Sequence, residues 1–311
     1  MPKKPVTKTT IEEAIEVYEV SNSSLSGETL IWYHNKLKVF AAWCKEQKIE
    51  LEDITPKTVL TFLDYLKTRI NPRTKKPITS DTLHGYIKVV KLFLGWCAED
   101  EEYSQHVKAR TVKLIARPKV EQKVIETFTG DELKAFFAAA SASDMPHRNI
   151  AILSLLLDTG VRASELCTLT LENVVITRDD AYIRVMGKGR KEREIGLGKQ
   201  SRIQVQKYIR QYRKGAEEGD VVFMSQRREP LTINGLDQLL YRLRDQAKLD
   251  VSAGAHKFRH TFAVNYLLNG GDVYKLSRLM GHTSVSTTER YVRSMKQRDA
   301  RKGLSVLDNL K

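Results

Sequence analysis

Between residues 28 and 47 the apolar side chains fall at Leu30, Tyr33, Leu37, Phe40 and Cys44. Steps of three and four place them on one stripe of an α-helix, and such a stripe must be buried against another element. Most of the chain repeats this period. Thr10 is positioned to cap a helix over about 11–20, with Glu12 and Glu13 in the first turn, where the helix dipole favours acids. Residues 21–27 are rich in Ser, Asn and Gly and read as a loop. Thr55-Pro56 opens a third helix with proline at its first position, followed by Val59, Leu60, Phe62, Leu63 and Leu66. A basic loop over 71–77 precedes a fourth helix over about 80–100. With an offset of 53, Thr29, Leu30, Tyr33, Phe40, Trp43 and Cys44 match Thr82, Leu83, Tyr86, Phe93, Trp96 and Cys97. Either a helix pair was duplicated, or two helices share one packing task. In both cases the aromatic stripe is expected in a core.

Residues 116–126 mix charge and proline with few apolar residues, and read as an exposed linker. Its Lys and Arg side chains either touch a polyanion or are simply solvated. A second helical series begins at Thr129-Gly130-Asp131-Glu132, with helices expected over 129–141 and 147–159. One β-rich stretch interrupts it. Val174-Val175-Ile176 and Tyr182-Ile183-Arg184-Val185 flank Asp179-Asp180 as a hairpin, and Arg193-Glu194-Ile195 follows a turn over 187–191. Beyond Lys199 the pattern is helical again, apart from Val221-Val222-Phe223. The expected fold is therefore mainly α in two domains, 8–115 and 127–311, the second α-rich with a small antiparallel β-sheet.

Charge narrows the partner. Lys and Arg number 52 against 38 Asp and Glu, a net +14 and a pI near 9.5. A polyanion is the natural counterpart, because neutralising phosphates releases counterions. A membrane surface or an acidic protein fits less well. No apolar run approaches the ~20 residues of a membrane span. The basic start Met1-Pro2-Lys3-Lys4-Pro5 is not followed by the apolar segment of a signal peptide. A cytoplasmic location is the expectation. Cys44, Cys97 and Cys167 have no close Cys/His spacing, so buried free thiols are expected rather than disulfides or a metal site.

Four segments carry chemistry. In Asp158-Thr159-Gly160-Val161-Arg162-Ala163-Ser164-Glu165-Leu166, an apolar helix ends at glycine and Arg162 sits at the start of the next. Its guanidinium can present a fork to an anionic oxygen, with Glu165 three residues on to orient it. Met186-Gly187-Lys188-Gly189-Arg190-Lys191-Glu192-Arg193 is a basic turn between strands, without the arrangement of a nucleotide-binding P-loop. A lysine at such a tip can give a proton to a leaving oxygen. In His256-Lys257-Phe258-Arg259-His260, a helix would bring His256 and Arg259 to one face, one able to move a proton and the other to bind an anion. Leu279-Met280-Gly281-His282 provides a helix stop and a histidine, with Thr288 and Tyr291 following. A phenol with a pKa near ~10 is a poor nucleophile unless its proton is removed or its anion stabilised.

Taken in order, Arg162, Lys188, H-x-x-R, G-H and then tyrosine, these segments resemble the tyrosine recombinase or phage integrase family over about residues 126–295. The strings T-G-V-R-A-S-E-L, G-K-G-R-K-E-R, H-K-F-R-H-T-F-A and L-M-G-H-T-S-V-S-T-T-E-R-Y fit its motif boxes. The resemblance implies that residues 8–115 form a helical clamp on DNA and that 127–311 carry catalysis. It implies transesterification without metal or cofactor. Tyr291 attacks a phosphate to leave a 3′-phosphotyrosyl link and a free 5′-hydroxyl. Arg162, Arg259 and His282 hold the phosphate, Lys188 is the general acid, His256 takes the phenol proton, and Glu165 supports the site. The partners implied are double-stranded recombination sites, bound by a homotetramer across two sites. Leu304, Leu307 and Leu310 would line a C-terminal helix docked on a neighbouring protomer or on its own domain. Length is similar to compact Xer-like and mobile-element members, without room for an extra arm-binding domain. Chromosome dimer resolution, element mobility and phage integration all remain compatible. Two alternatives are a type IB topoisomerase, separated by strand exchange between defined sites, and a regulator that keeps the fold, separated by covalent trapping.

Overall fold

The computed structural model describes residues 10–71, 75–118, 125–187 and 191–295. The chain divides into two compact units, Met1–Gln122 and Lys123–Lys311.

The first unit is helical among its described residues: α1 (Ile11–Ser21), α2 (Gly27–Glu46), α3 (Pro56–Thr68), α4 (Ser80–Glu99) and α5 (Ala109–Leu114). The caps are those the sequence offers. Thr10 Oγ1 accepts the Glu13 N–H at 3.2 Å, and the Glu13 carboxylate accepts the Thr10 N–H at 2.8 Å, a reciprocal capping box. Thr55 caps α3 ahead of Pro56. Helices α2 and α4 begin and end 53 positions apart, the offset of their sequence match. They pack together, burying Phe40, Cys44, Phe93 and Cys97 with Phe62 from α3. All three cysteines of the chain are free and buried.

The second unit carries α6 (Gly130–Ser141), α7 (Pro146–Thr159), α8 (Ala163–Cys167), β1 (Val174–Ile176), β2 (Ala181–Met186), β3 (Glu192–Gly196), α9 (Lys199–Tyr212), α10 (Ile233–Gln246), α11 (Ala255–Leu268), α12 (Val273–Met280) and α13 (Ser286–Ser294). The three strands form an antiparallel sheet in the order β1-β2-β3. Alternation sends Ile183, Val185 and Ile195 into the core, while Arg184 and Glu194 pair on the outer face at 3.2 Å. Helix α7 is apolar over most of its circumference, because α6, α9 and α11 all pack on it. Residues 221–223 add Val222 and Phe223 to the core, and Val221 bridges to Thr170. Among the described residues, no helix is long and apolar enough to cross a membrane.

Two glycines end the helices that matter most. Gly160 closes α7 at φ +59°, and Gly281 closes α12 at φ +62°, both left-handed. Gly160 also lies under Phe262, whose ring would stand 2.2 Å from an added Cβ. Gly270, at φ +83°, faces open space. Gly160→Ala should therefore cost about 2–4 kcal/mol, backbone strain plus overpacking, and Gly270→Ala only about 1 kcal/mol. Urea unfolding of the two variants measures the difference, and equal losses would refute the steric account.

Candidate active site

Two helix ends and one strand build the site. The C-terminal carbonyls of α12 point at three guanidinium groups, each taking one. Arg193 Nε donates to Leu279 O at 2.7 Å, Arg259 Nη2 to Met280 O at 2.6 Å, and Arg162 Nη2 to Gly281 O at 2.9 Å. Arg259 Nη1 also donates to Gly160 O, at the end of α7. Helix C-termini carry partial negative charge, so this is where a cluster of cations can be assembled without a matching number of acids. The left-handed glycines expose these carbonyls.

Glu165 is the one carboxylate bonded into the cluster among the described residues. Its side chain is 4% exposed. Arg193 grips it with two bonds, Nη1 to Oε1 at 2.9 Å and Nη2 to Oε2 at 2.8 Å. Arg162 adds Nη1 to Oε1 at 2.7 Å and its backbone N–H to Oε2 at 2.8 Å. Burial alone would raise the carboxyl pKa, but the Arg193 fork, the Arg162 N–H and the Arg162 side chain hold it down to about 2. Arg162 remains 35% exposed. Its Nε–H and one N–H on each Nη have no acceptor among the described residues, which leaves three donors for an anion. Arg259 is 3% exposed. Burial and Arg162 lower its pKa to about 10, which leaves it charged at neutral pH.

His282 follows Gly281. Its Nε2 lies 3.2 Å from Arg259 Nη2 and its Nδ1 2.8 Å from Thr288 Oγ1. Arginine can only donate, so Nε2 accepts, Nδ1 carries the proton, and the ring is neutral. Burial, then Arg259, Arg162 and the further guanidiniums Arg290 and Arg193, lower its pKa to about 4.

Tyr291 lies on α13, 2% exposed, in a small apolar cluster with Phe262, Ala263, Leu276 and Met280. Its ring is parallel to that of His282 at 6.4 Å. Its hydroxyl meets His260 Nδ1 at 3.0 Å. Burial raises the phenol pKa against the opposing pull of Arg259, Arg290 and Arg162. His256 sits one turn before His260 on α11, ring centroids 4.3 Å apart, and no hydrogen bond joins it to Tyr291 among the described residues. Lys188 lies outside the described residues, beyond Gly187, whose N–H bonds to Lys191 O at 2.8 Å.

Arg162, Glu165, Arg259, His282 and Tyr291 are thus brought together. Arg193 and His260 complete the arrangement, although the sequence motifs assign neither a role. Among the described residues, no three His, Cys, Asp or Glu side chains converge as metal ligands. Chemically, the site offers fixed cations for an anionic oxygen beside a buried phenol bonded to a neutral imidazole.

The "Phage integrase family" profile matches residues 126–298, and the "Phage integrase SAM-like domain" profile matches 9–109. Tyrosine recombinase XerC of Bacillus subtilis (strain 168) is 32% identical over 241 residues, 75% of this chain and 77% of XerC. The XerH site-specific recombinase bound to palindromic difH substrate superposes with a TM-score of 0.75 at 20% identity, covering 93% of this chain and 82% of XerH. A lambda integrase tetramer bound to a Holliday junction gives 0.68 at 21% identity, covering 92% and 83%.

Proposed function

The chain belongs to the phage integrase family and is a tyrosine recombinase, a site-specific enzyme that cuts and rejoins DNA through a phosphotyrosine; from that premise we propose that Tyr291 is its nucleophile and the arginine cluster its phosphate clamp. The observation that supports this best is the convergence of Arg162 and Arg259 on the end of α12, beside His282 and Tyr291. Attack by the phenol oxygen gathers charge on the non-bridging phosphate oxygens. Cations already fixed by carbonyls and by Glu165 need no reorganisation to meet it, and each such donor contributes about 3 kcal/mol. Arg162 takes one oxygen with its remaining donors. The approaching phosphate competes for the Arg259 N–H that now reaches His282, and its negative charge favours a proton on His282 Nε2 as a further donor. Lys188 protonates the departing 5′-oxygen. Glu165 keeps Arg162 in place. No high-energy cofactor enters, because the phosphotyrosyl ester conserves the bond energy for the return step.

Residues 8–115 are assigned to clamping DNA and 127–311 to catalysis, with 116–126 between them. Four protomers act on two sites, a stoichiometry supported by the likeness to a lambda integrase tetramer bound to a Holliday junction. The C-terminal segment carrying Leu304, Leu307 and Leu310 links neighbours; it lies outside the described residues. The work is done in the cytoplasm, where the DNA is, in integration and excision or in resolution.

The target sequence can be found in the same experiment that tests the assignment. Purified protein is incubated with fragmented, nicked total DNA of its source, and the protein-linked strands are sequenced. Recovery of one sequence class, joined at its 3′ phosphate to Tyr291, is the expected result. Strand exchange between two copies of that sequence separates a recombinase from a topoisomerase. DNA retained only non-covalently would defeat the assignment.

A further inference from the structure

We propose that His260, rather than His256, receives the proton of Tyr291 during cleavage; this rests on Tyr291 being the nucleophile. The geometry leaves few other candidates. His260 Nδ1 is 3.0 Å from the phenol oxygen. His282 is parallel to the phenol ring, but its two nitrogens are engaged by Thr288 and Arg259. Arg259, Arg290 and Arg162, the cations that act on the phenol, cannot accept a proton at all. Ser294 Oγ is occupied by the Tyr291 carbonyl. His256 touches the edge of His260 instead, a second imidazole one helical turn away.

In the cleavage step the Tyr291 oxygen–phosphorus bond forms and the phosphorus–O5′ bond breaks. The phenolic proton moves to His260 Nδ1, and O5′ takes a proton from the general acid assigned to Lys188. In the return step His260 gives the proton back to the tyrosine oxygen. The groups facing His260 are His256 and Arg259 on its own helix, Arg290 and Tyr291 on α13, and His282 between α12 and α13. Burial, then His256, Arg290, Arg259 and His282, hold its pKa down to about 4, so at neutral pH the ring is neutral, and the tautomer with its proton on Nε2 presents the Nδ1 lone pair to the phenol. Such a depressed pKa makes a weak base by itself. A bound phosphate opposes the field of those same guanidiniums, so basicity rises when the reacting group arrives.

The experiment is single-turnover formation of the covalent adduct on a nicked substrate built from the captured sequence, over pH 5–9. Wild type, His260→Gln and His256→Gln are compared, with circular dichroism and DNA affinity as checks on folding. His260→Gln should be slower by roughly 10²–10³-fold at pH 7, with DNA affinity kept. Its rate should climb across the whole range as hydroxide replaces the lost base, in place of the wild-type profile, a low-pH limb that levels off once His260 is deprotonated. A second measurement guards against a misfolded variant: 3-fluorotyrosine at position 291, a more acidic phenol, should speed His260→Gln at least tenfold and wild type by less than threefold. A His260→Gln rate within threefold of wild type, or loss and pH limb both residing in His256→Gln, would overturn the proposal. Absence of any adduct with wild type would instead remove the nucleophile assignment beneath it.

Discussion

Tyr291→Phe should abolish covalent capture of DNA while leaving the protein folded and its DNA affinity unchanged. The ring would stay where it is, packed with Phe262, Ala263, Leu276 and Met280. Only the hydroxyl and its bond to His260 disappear. A buried hydrogen bond is worth about 1 kcal/mol net, and removing the hydroxyl also removes its desolvation cost, so stability should change by less than about 1 kcal/mol. On the proposed function, affinity comes from the basic surface and the arginine cluster, which the substitution does not touch. With Tyr291 as the proposed nucleophile, however, the reaction has lost its attacking atom. A carbon ring cannot replace it, and the loss should reach at least about 10³-fold, as for other enzymes deprived of a covalent nucleophile. Denaturing electrophoresis of the enzyme–DNA mixture reads the adduct, and a binding isotherm reads the affinity. Persistent adduct in the variant would mean that another residue attacks. Lost affinity together with lost adduct would mean that the phenol is a structural group.

How much of this was written in the sequence differs by kind of feature. Helices α1, α3 and α6 were legible because each carries its own stripe and cap: Thr10 with Glu13, Thr55 with Pro56, and Thr129 with Glu132 all act within one turn. The sheet was legible from alternation, with Ile183, Val185 and Ile195 inward. The roles proposed for Tyr291, Arg162 and Arg259 came from a resemblance in order and spacing, which no single segment supplies. Three features were hidden. Arg193 lies two positions before core residue Ile195, on the same face of β3, and so faces inward between two exposed glutamates, a pattern that demands an anion. The sequence shows the demand but not the answer, since Glu165 is 28 positions away. The choice between His256 and His260 depends on where α13 crosses α11, and one turn of a helix shifts that choice by about 5.4 Å. The carbonyls of Gly160, Leu279, Met280 and Gly281 bind the arginines through the backbone, which has no letter. Only the two left-handed glycines hinted at them.

The second large effect is expected at Glu165, and it follows from counting charges. Four guanidinium or backbone donors converge on this carboxylate, and Arg193, 12% exposed, has it as its only ion-pair partner among the described residues. Glu165→Gln keeps the shape but leaves two cations facing a neutral amide, half of whose polar atoms are donors like themselves. Breaking a buried pair by neutralising one member costs about 3–5 kcal/mol. Arg193→Gln should cost a similar amount, and the double variant less than the sum, with a coupling above about 1 kcal/mol. The pH dependence has a definite sign. The carboxyl pKa falls from an ordinary 4.5 to about 2 on folding, roughly 3 kcal/mol at ~1.4 kcal/mol per tenfold. A lowered pKa means stability that is complete above pH 4.5 and is lost as acid carries the pH through the interval down to 2. The gap between wild type and Glu165→Gln should therefore be flat from pH 8 to 5 and narrow below 4.5. The histidines titrate in both proteins and largely cancel in the difference. Adduct formation should fall as well, because Arg162 loses the brace that holds its remaining donors in place. Arg193→Lys separates charge from fork: a lysine restores the charge but cannot bond both carboxylate oxygens and Leu279 O together. It should regain part of the stability and little of the rate. Urea unfolding at pH 7.5 and pH 3, set beside single-turnover cleavage, measures all of this. A Glu165→Gln cost below 1 kcal/mol, or one unchanged at pH 3, would show that the arginines are held by the α12 carbonyls alone.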